Sequence, residues 1–453
     1  MFRFYVITIQ MRSRRLCLLL AALGAPFGIC FAQAPVLTLD EALTLASKHN
    51  AQVQIDALDA TKAEAETNQL KTQRLPELKL YANVGESLTP INLTIPAGAL
   101  GVFPATGPVP AQDASIKTPR QITGFIYGSA GQPISQLFKI GLSLKEARLG
   151  EQIAREKGRQ QVLETNQQVK QAYYQLTQIE SQITSAEAGL KYLEELSAYT
   201  DRNFAQETVL KSDVLSVKSK LSQQRYQLIT LHNNLDTQKE ALNHLLGRDL
   251  RTDFTTQPEP AATEEELSLA ASQNKALEQR SEMREARLQT KKAELDVRRE
   301  HAEYIPDLSA QLNYLSFPNI SFLPKNILTA GLTLSWQPFD WGQKKHKLEE
   351  LRSTSKQAVL TERDAEQQIL QDVNAKYRKL AEARALLAVA AAAQEVEREK
   401  LRIVMNRYKE KAALLTDVLN QQNALAQADA QYQQDLANFW TAKANFALAL
   451  GDQ

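Results

Sequence analysis

Two carboxylates stand in near-identical settings: Asp213 in "SDVLSVKSKL" (Ser212–Leu221) and Asp417 in "TDVLNQQNAL" (Thr416–Leu425), 204 residues apart. A hydroxyl followed by a carboxylate at the head of a helix has an immediate structural use. Ser212 and Thr416 can accept from a free backbone N–H as N-caps, and the aspartates then meet the positive end of the helix dipole. Enzyme chemistry has less to stand on. The five histidines, His49, His232, His244, His301 and His346, are scattered, with no pair one helical turn apart beside a glutamate, so zinc catalysis has no support. There is no phosphate-cradling glycine loop and no Gly-x-Ser-x-Gly. Carboxylate runs such as "TEEE" (Thr263–Glu266) read as helix N-termini or solvated faces. We expect no catalysis, no cofactor and no metal.

The echo extends along the chain. At the same shift "VKQAYYQL" (Val169–Leu176) meets "VNAKYRKL" (Val373–Leu380), and "LLG" (Leu245–Gly247) meets "ALG" (Ala449–Gly451). Repeated units share one architecture. We therefore divide the chain into a first repeat (33–250), a linker (251–263) and a second repeat (264–453). Each repeat reads helix, strand, loop, strand, long helix, turn, helix, with β-hairpins over about residues 77–133 and 307–338.

Residues 1–32 read as a cleaved signal peptide. "MRSRRLCLLLAALGAPFGICFA" has a basic start, an apolar run and small residues, Cys30 and Ala32, before the cut. Met11 is an alternative start. A lipoprotein reading centred on Cys30 is weaker, because Ile29 sits where a small residue is wanted. Both cysteines, Cys17 and Cys30, fall in this piece, so the mature chain has no thiol or disulfide. Four of the 53 basic residues go with it, leaving 49 against 52 acidic ones, which argues against nucleic acid as partner. Beyond Ala32 the best apolar run is "ALLAVAAAA" (Ala385–Ala393), about half the 18 or so residues of a spanning helix. If this chain crosses a bilayer, strands must do it.

Strand character is clear at three places. "PELKLYANV", "PDLSAQLNY" and "LTAGLTLSWQP" each alternate apolar with polar or small residues. "QITGFIYGSAGQP" (Gln121–Pro133) alternates poorly. The loop Thr89–Arg120 is long, with six prolines and apolar residues such as Leu93, Leu100 and Phe103; a loop of that length is functional or disordered. Each opening helix, the first near Leu39–Arg74, stops at a proline. The long helix Leu142–Phe204 and its return Asp213–Gly247 carry apolar residues at steps of three and four, the spacing of supercoiled helices. Only four strands arise per chain, and an open sheet in lipid leaves backbone groups unpaired on both edges. Copies must join until the sheet closes.

In order, doubling and spacing, the chain resembles the outer-membrane efflux proteins of the TolC type, from "LTLDEALTLASKHN" through "LPELKLYANV", "WQPFDWG" and "TDVLNQQNAL" to "FALALGD". The resemblance implies a mainly α fold with a small β part. It implies a homotrimer, four strands per chain forming one transmembrane β-barrel in the outer membrane, above a coiled-coil α-helical barrel in the periplasm. The expected function is a passive duct of a tripartite efflux or secretion system, docked to a periplasmic adaptor and an inner-membrane transporter. A periplasmic coiled-coil adaptor, or a structural protein without a pore, is the alternative. The amides Asn420, Gln421, Gln422, Asn423, Gln427, Gln431, Gln433 and Gln434 read equally as a solvated outer face or a water-filled lining.

The resemblance also implies a periplasmic gate at the hairpin tips, where an aspartate bonds to a tyrosine and an arginine. Asp213 and Tyr408 match the first two; Ala413 stands at the arginine position. Of the family's two constriction aspartates, Asp417 is present and Asn420 replaces the second. Phe204, Glu207, Arg407 and Lys411 fall on the tips where adaptors dock. The family carries glycine where this chain has Glu207 and Lys411, so a rebuilt turn is expected, with these two residues replacing backbone docking by a charge pair, within the protein or to the adaptor.

Overall fold

The computed structural model describes residues 35–86, 88–118, 122–257, 268–318 and 324–452. The expected signal segment and the turn of the second hairpin lie outside these residues. The linker is described only as far as Gln257.

In chain order the elements are β1 (Val36–Leu37), α1 (Leu39–His49), α2 (Ala51–Thr72), β2 (Glu77–Glu86), β3 (Ile91–Ile95), β4 (Val102–Phe103), β5 (Gly107–Pro108), β6 (Ala114–Thr118) and β7 (Ile122–Pro133). There follow α3 (Gln136–Ala205), α4 (Lys211–Leu245), β8 (Thr255–Thr256), α5 (Leu269–Gln279), α6 (Ser281–Ala302), β9 (Asp307–Ser316), β10 (Asn326–Ser335), α7 (Gln343–Lys409) and α8 (Leu415–Leu450). Long helices and a small sheet compose the molecule. The 70 residues of α3 extend about 105 Å, and the 35 of α4 about half that.

Helices α2 and α4 lie along α3, and α6 and α8 lie along α7. Helix α3 also packs on α6 and α8, so the columns run α2, α3, α6, α7 near the sheet and α4, α3, α8, α7 at the far end. The wall is one helix thick, and its edges are α2 and α4 on one side and α7 on the other.

The opening helix expected over Leu39–Arg74 is two helices, because Asn50 breaks it. Asn50 is extended (φ −61°, ψ 129°), its carboxamide oxygen accepts from Gln52 and Val53, and its Nδ2 donates 2.9 Å to the Leu245 carbonyl at the end of α4. Gly247 (φ 65°) follows, pressed against His49 so closely that a Cβ would collide with its carbonyl. The second half repeats the device: Arg280 is extended between α5 and α6, and Gly451 (φ 78°) packs on Gln279 and Arg280. The glycines of "LLG" and "ALG" are thus the joints at which an incoming and a returning helix meet end to end along α3 and α7.

The main core sits at these joints. Tyr173 is fully buried; its hydroxyl lies 2.9 Å from the Leu37 carbonyl and accepts from the Gln257 amide at 2.9 Å. That clamps the short parallel pair of β1 and β8 to the middle of α3. Around it pack Val169, Leu176, Leu242, Leu246 and Phe254. The periodic apolar residues seen in the sequence are this core, and their removal from water is its main source of stability.

Candidate functional site

Two regions carry the functional geometry: the sheet at one end and the helical tips at the other. The sheet is antiparallel, in the order β10-β9-β7-β2. Its register aligns Leu80, Gly128, Tyr314 and Leu328 across the four strands, and Leu78, Ala130, Leu312 and Ala330 on the next row. Side chains alternate along a strand, so all of these share one face. Between its end rows, where Glu86, Gln132, Ser316 and Asn326 stand, that face is apolar and open, with Leu78 78% and Leu332 70% exposed. The opposite face holds Lys79, Asn83, Ser129, Ser309, Gln311, Asn313 and Thr333, with Tyr127 donating 3.0 Å to the Asn313 side-chain oxygen. Ten-residue strands extend about 33 Å, which tilted gives the apolar height of a barrel wall.

Strand β7 hides its alternation because its apolar-face positions are filled by Gly124, Gly128 and Ala130 between bulky neighbours. Gly128 lies between Leu80 and Tyr314, and at Gly124 a Cβ would strike the Asn83 carbonyl. The Thr89–Arg120 loop is folded where it is described. Strands β3 and β6 pair, β4 and β5 pair at the tip, and the Ala97 amide donates 2.8 Å to Asp113.

At the far end, helix pairs α3–α4 and α7–α8 reverse direction. The expected N-caps are displaced by two residues: Leu210 and Leu414 occupy the cap positions, and Ser212 and Thr416 lie inside the first turn. A leucine offers no acceptor, so the caps are closed from the other side. Asp213 accepts from the Leu210 amide at 3.3 Å and Asp417 from the Leu414 amide at 3.0 Å.

The expected rebuilding of the turns does not occur. Glu207 and Lys411 hold left-handed φ values of 55° and 61°. Each closes a Schellman motif: Thr208 N–H reaches the Asn203 carbonyl at 3.0 Å, and Ala412 N–H the Arg407 carbonyl at 2.8 Å. The two amides that close these loops offset the strain of a non-glycine residue. Glu207 and Lys411 are exposed, and among the described residues no ion pair joins them.

Asp213 and Tyr408 are brought near one another without a hydrogen bond among the described residues. Tyr408 instead meets Tyr199 edge to face at 6.0 Å, beside Thr200, whose hydroxyl donates to the Leu196 carbonyl at 2.8 Å. Burial pushes its hydroxyl pKa up, and the neighbouring Tyr199 and Asp213 add to the rise. Tyr192, one heptad before Tyr199, donates to the Met405 sulfur at 3.4 Å; burial pushes its pKa up to about 12. Both phenols are neutral at physiological pH. Beneath them pack Leu193, Leu196, Val217, Leu415 and Val418. Tyr199 and Tyr192 were missed in the sequence, although the heptad step from 192 to 199 on the face toward Tyr408 marks them. Asp417 and Asn420 are exposed, as are Phe204 and Arg407 on the turns.

A chain with one apolar and one polar sheet face above a helical wall matches a known pattern. The model of the family described as "Outer membrane efflux protein" matches residues 42–248 and 273–452, most of the chain. The chain belongs to the outer membrane efflux protein family. No curated protein matches it in sequence. Solved structures share the fold at low identity. CusC is 14% identical, with a TM-score of 0.76 over 92% of each chain. VceC of Vibrio cholerae is 18% identical, with a TM-score of 0.72 over 91% of this chain and 96% of its own. The MtrE outer membrane channel of Neisseria gonorrhoeae, in its open state, is 15% identical, with a TM-score of 0.69 over 91% and 89%. Family membership sets aside the adaptor reading: this is an outer-membrane efflux duct with a large periplasmic part, not an enzyme. No group of three or more metal-ligating side chains occurs among the described residues.

Proposed function

We propose that three copies of this chain close into one tube that carries substrate from a periplasmic adaptor and inner-membrane transporter to the exterior. The observation that carries the reading is the state of the two edges of the single chain. Strands β2 and β10 each pair on one side only. The edge helices expose large apolar residues that nothing among the described residues covers: Ile55 and Leu58 on α2, Tyr226 and Ile229 on α4, Leu360 and Val389 on α7. Edge strands in hydrocarbon must be paired, and the exposed helix residues need a partner at the same seam.

Strand number favours three copies. Two chains would give eight strands, an interior filled by side chains. Three give twelve strands and a backbone diameter of roughly 24 Å, wide enough for water. The same closure sets twelve helical columns around the periplasmic tunnel, with each half of the chain supplying one hairpin of strands and one of helices.

The tips then meet around the axis. Tyr408, packed edge to face on Tyr199 and close to Asp213, fastens the second hairpin to the first and keeps the entrance narrow. Three copies of Asp417 favour cations, more weakly than a double ring, since Asn420 is neutral. Phe204, Glu207, Arg407 and Lys411 face the adaptor. Planar-bilayer recording tests the gate: Tyr408→Phe should raise the open conductance or open probability of the reconstituted protein, and an unchanged trace would remove Tyr408 from that role.

A further inference from the structure

The junction between sheet and helices carries an aromatic and basic segment that the duct itself does not use. Two of the three tryptophans lie in "WQPFDWGQKK" (Trp336–Lys345), while Trp440 packs on the helical core. Trp336, one residue past β10, keeps the parity of Leu332 and Leu334 on the apolar face. Phe339 and Trp341 meet edge to face with centroids 4.8 Å apart, and both stay open, Trp341 at 89%.

Trp341 also holds φ 56°, a left-handed conformation that a bulky side chain resists. The turn is fastened nonetheless. The Asp340 carboxylate accepts from the Gly342 and Lys344 amides at 3.0 Å each, and Gly342 itself has φ 87°. Strain held in this way at an exposed ring points to a use for the ring. The next residues are cationic. Lys344 sits 5.8 Å over the Tyr304 ring and reaches the Gln337 carbonyl at 3.4 Å. Lys345 is exposed, and among the described residues no carboxylate pairs with it. His346 and Lys347 are already engaged by Glu349 and Glu350.

We propose that this segment is a site for anionic phospholipid of the periplasmic leaflet. Trp341 and Phe339 enter between headgroups, and Lys344 and Lys345 hold the phosphodiester. The inference rests on the outer-membrane placement given above. Lipid fits better than a neighbouring copy for two reasons. The segment continues the apolar face of β10 directly, and it orders tryptophan before lysine, the sequence of preferences met on leaving hydrocarbon for the phosphate layer. A protein seam, by contrast, disfavours lysine.

The test uses the whole protein reconstituted in phosphatidylethanolamine vesicles containing phosphatidylglycerol brominated near the headgroup or deep in the chain. Comparing emission with that of Trp341→Phe isolates Trp341, which should be quenched by the shallow bromine and little by the deep one. In native mass spectra, Lys344→Gln and Lys345→Gln should each lower retained phosphatidylglycerol about fivefold, the factor for one cation at an anionic leaflet. Free glycerol phosphate should not restore the emission; if it does, the site takes a soluble phosphate and the lipid assignment is overturned. Quenching of Trp336 with Trp341 untouched overturns this inference and leaves the membrane placement standing. If neither is quenched, the membrane placement fails, and this inference with it.

Discussion

The left-handed residues at the two hairpin tips give a prediction whose size can be worked from the structure. Replacing Glu207 (φ 55°) with glycine relieves a left-handed penalty of about 1–2 kcal/mol. Glycine returns about 0.5–1 kcal/mol of that as extra freedom of the unfolded turn. The Schellman bonds do not change, because they use backbone only. The net gain is therefore about 0.5–1 kcal/mol at each tip, or roughly a two- to fivefold slower local opening. Hydrogen exchange at the Thr208 and Ala412 amides reads this directly, since these N–H groups close the two turns. Glu207→Gly should slow exchange at Thr208, and Lys411→Gly should slow it at Ala412. Glu207→Ala should give no such slowing, because alanine keeps the strain. Equal behaviour of the glycine and alanine variants would refute the claim that the turns are strained.

Other consequences follow from the same coordinates. On the apolar face, Leu332→Arg should cost about 2–4 kcal/mol in a bilayer and abolish the folded, heat-modifiable band on gels, whereas Thr333→Arg on the polar face should leave it intact. Gly247→Ala and Gly451→Ala should each destabilise the helix joints by more than about 2 kcal/mol, seen as a lower thermal midpoint, because both glycines sit at positive φ and Gly247 lies against the His49 carbonyl. The raised phenol pKa values of Tyr192 and Tyr408 mean that the folded tips favour the protonated forms. Their contribution is complete below the ordinary tyrosine pKa and is lost as pH rises from about 10 toward the folded values, about 12 for Tyr192. Tyrosinate absorbance should lag in the native protein across that window and catch up on denaturation.

Much of this molecule could be read from its residues. Strict alternation gave β9 and β10, three-and-four spacing gave the long helices, and the echoed Asp213 and Asp417 segments located both tips. What stayed hidden had distant or backbone causes. Asn50 and Arg280 are ordinary helix residues, and Asn50 breaks its helix through a carbonyl almost two hundred residues away. Strand β7 lost its pattern to glycines whose neighbours appear only once the register is known. The cap at each tip falls two residues early because the aspartate closes it by reaching back to a leucine amide, a contact that no hydroxyl-based rule anticipates. At the tips, the pairing of Asp213 with Tyr408 was the sequence expectation; in the single chain Tyr408 packs on the Tyr199 ring.

The central claim is that one chain is a third of a wall. A native mass spectrum of the purified, detergent-held protein tests it most directly: the account requires a dominant species of three chain masses that dissociates only when the detergent shell is stripped. A spectrum of stable single chains, or of dimers alone, would contradict it.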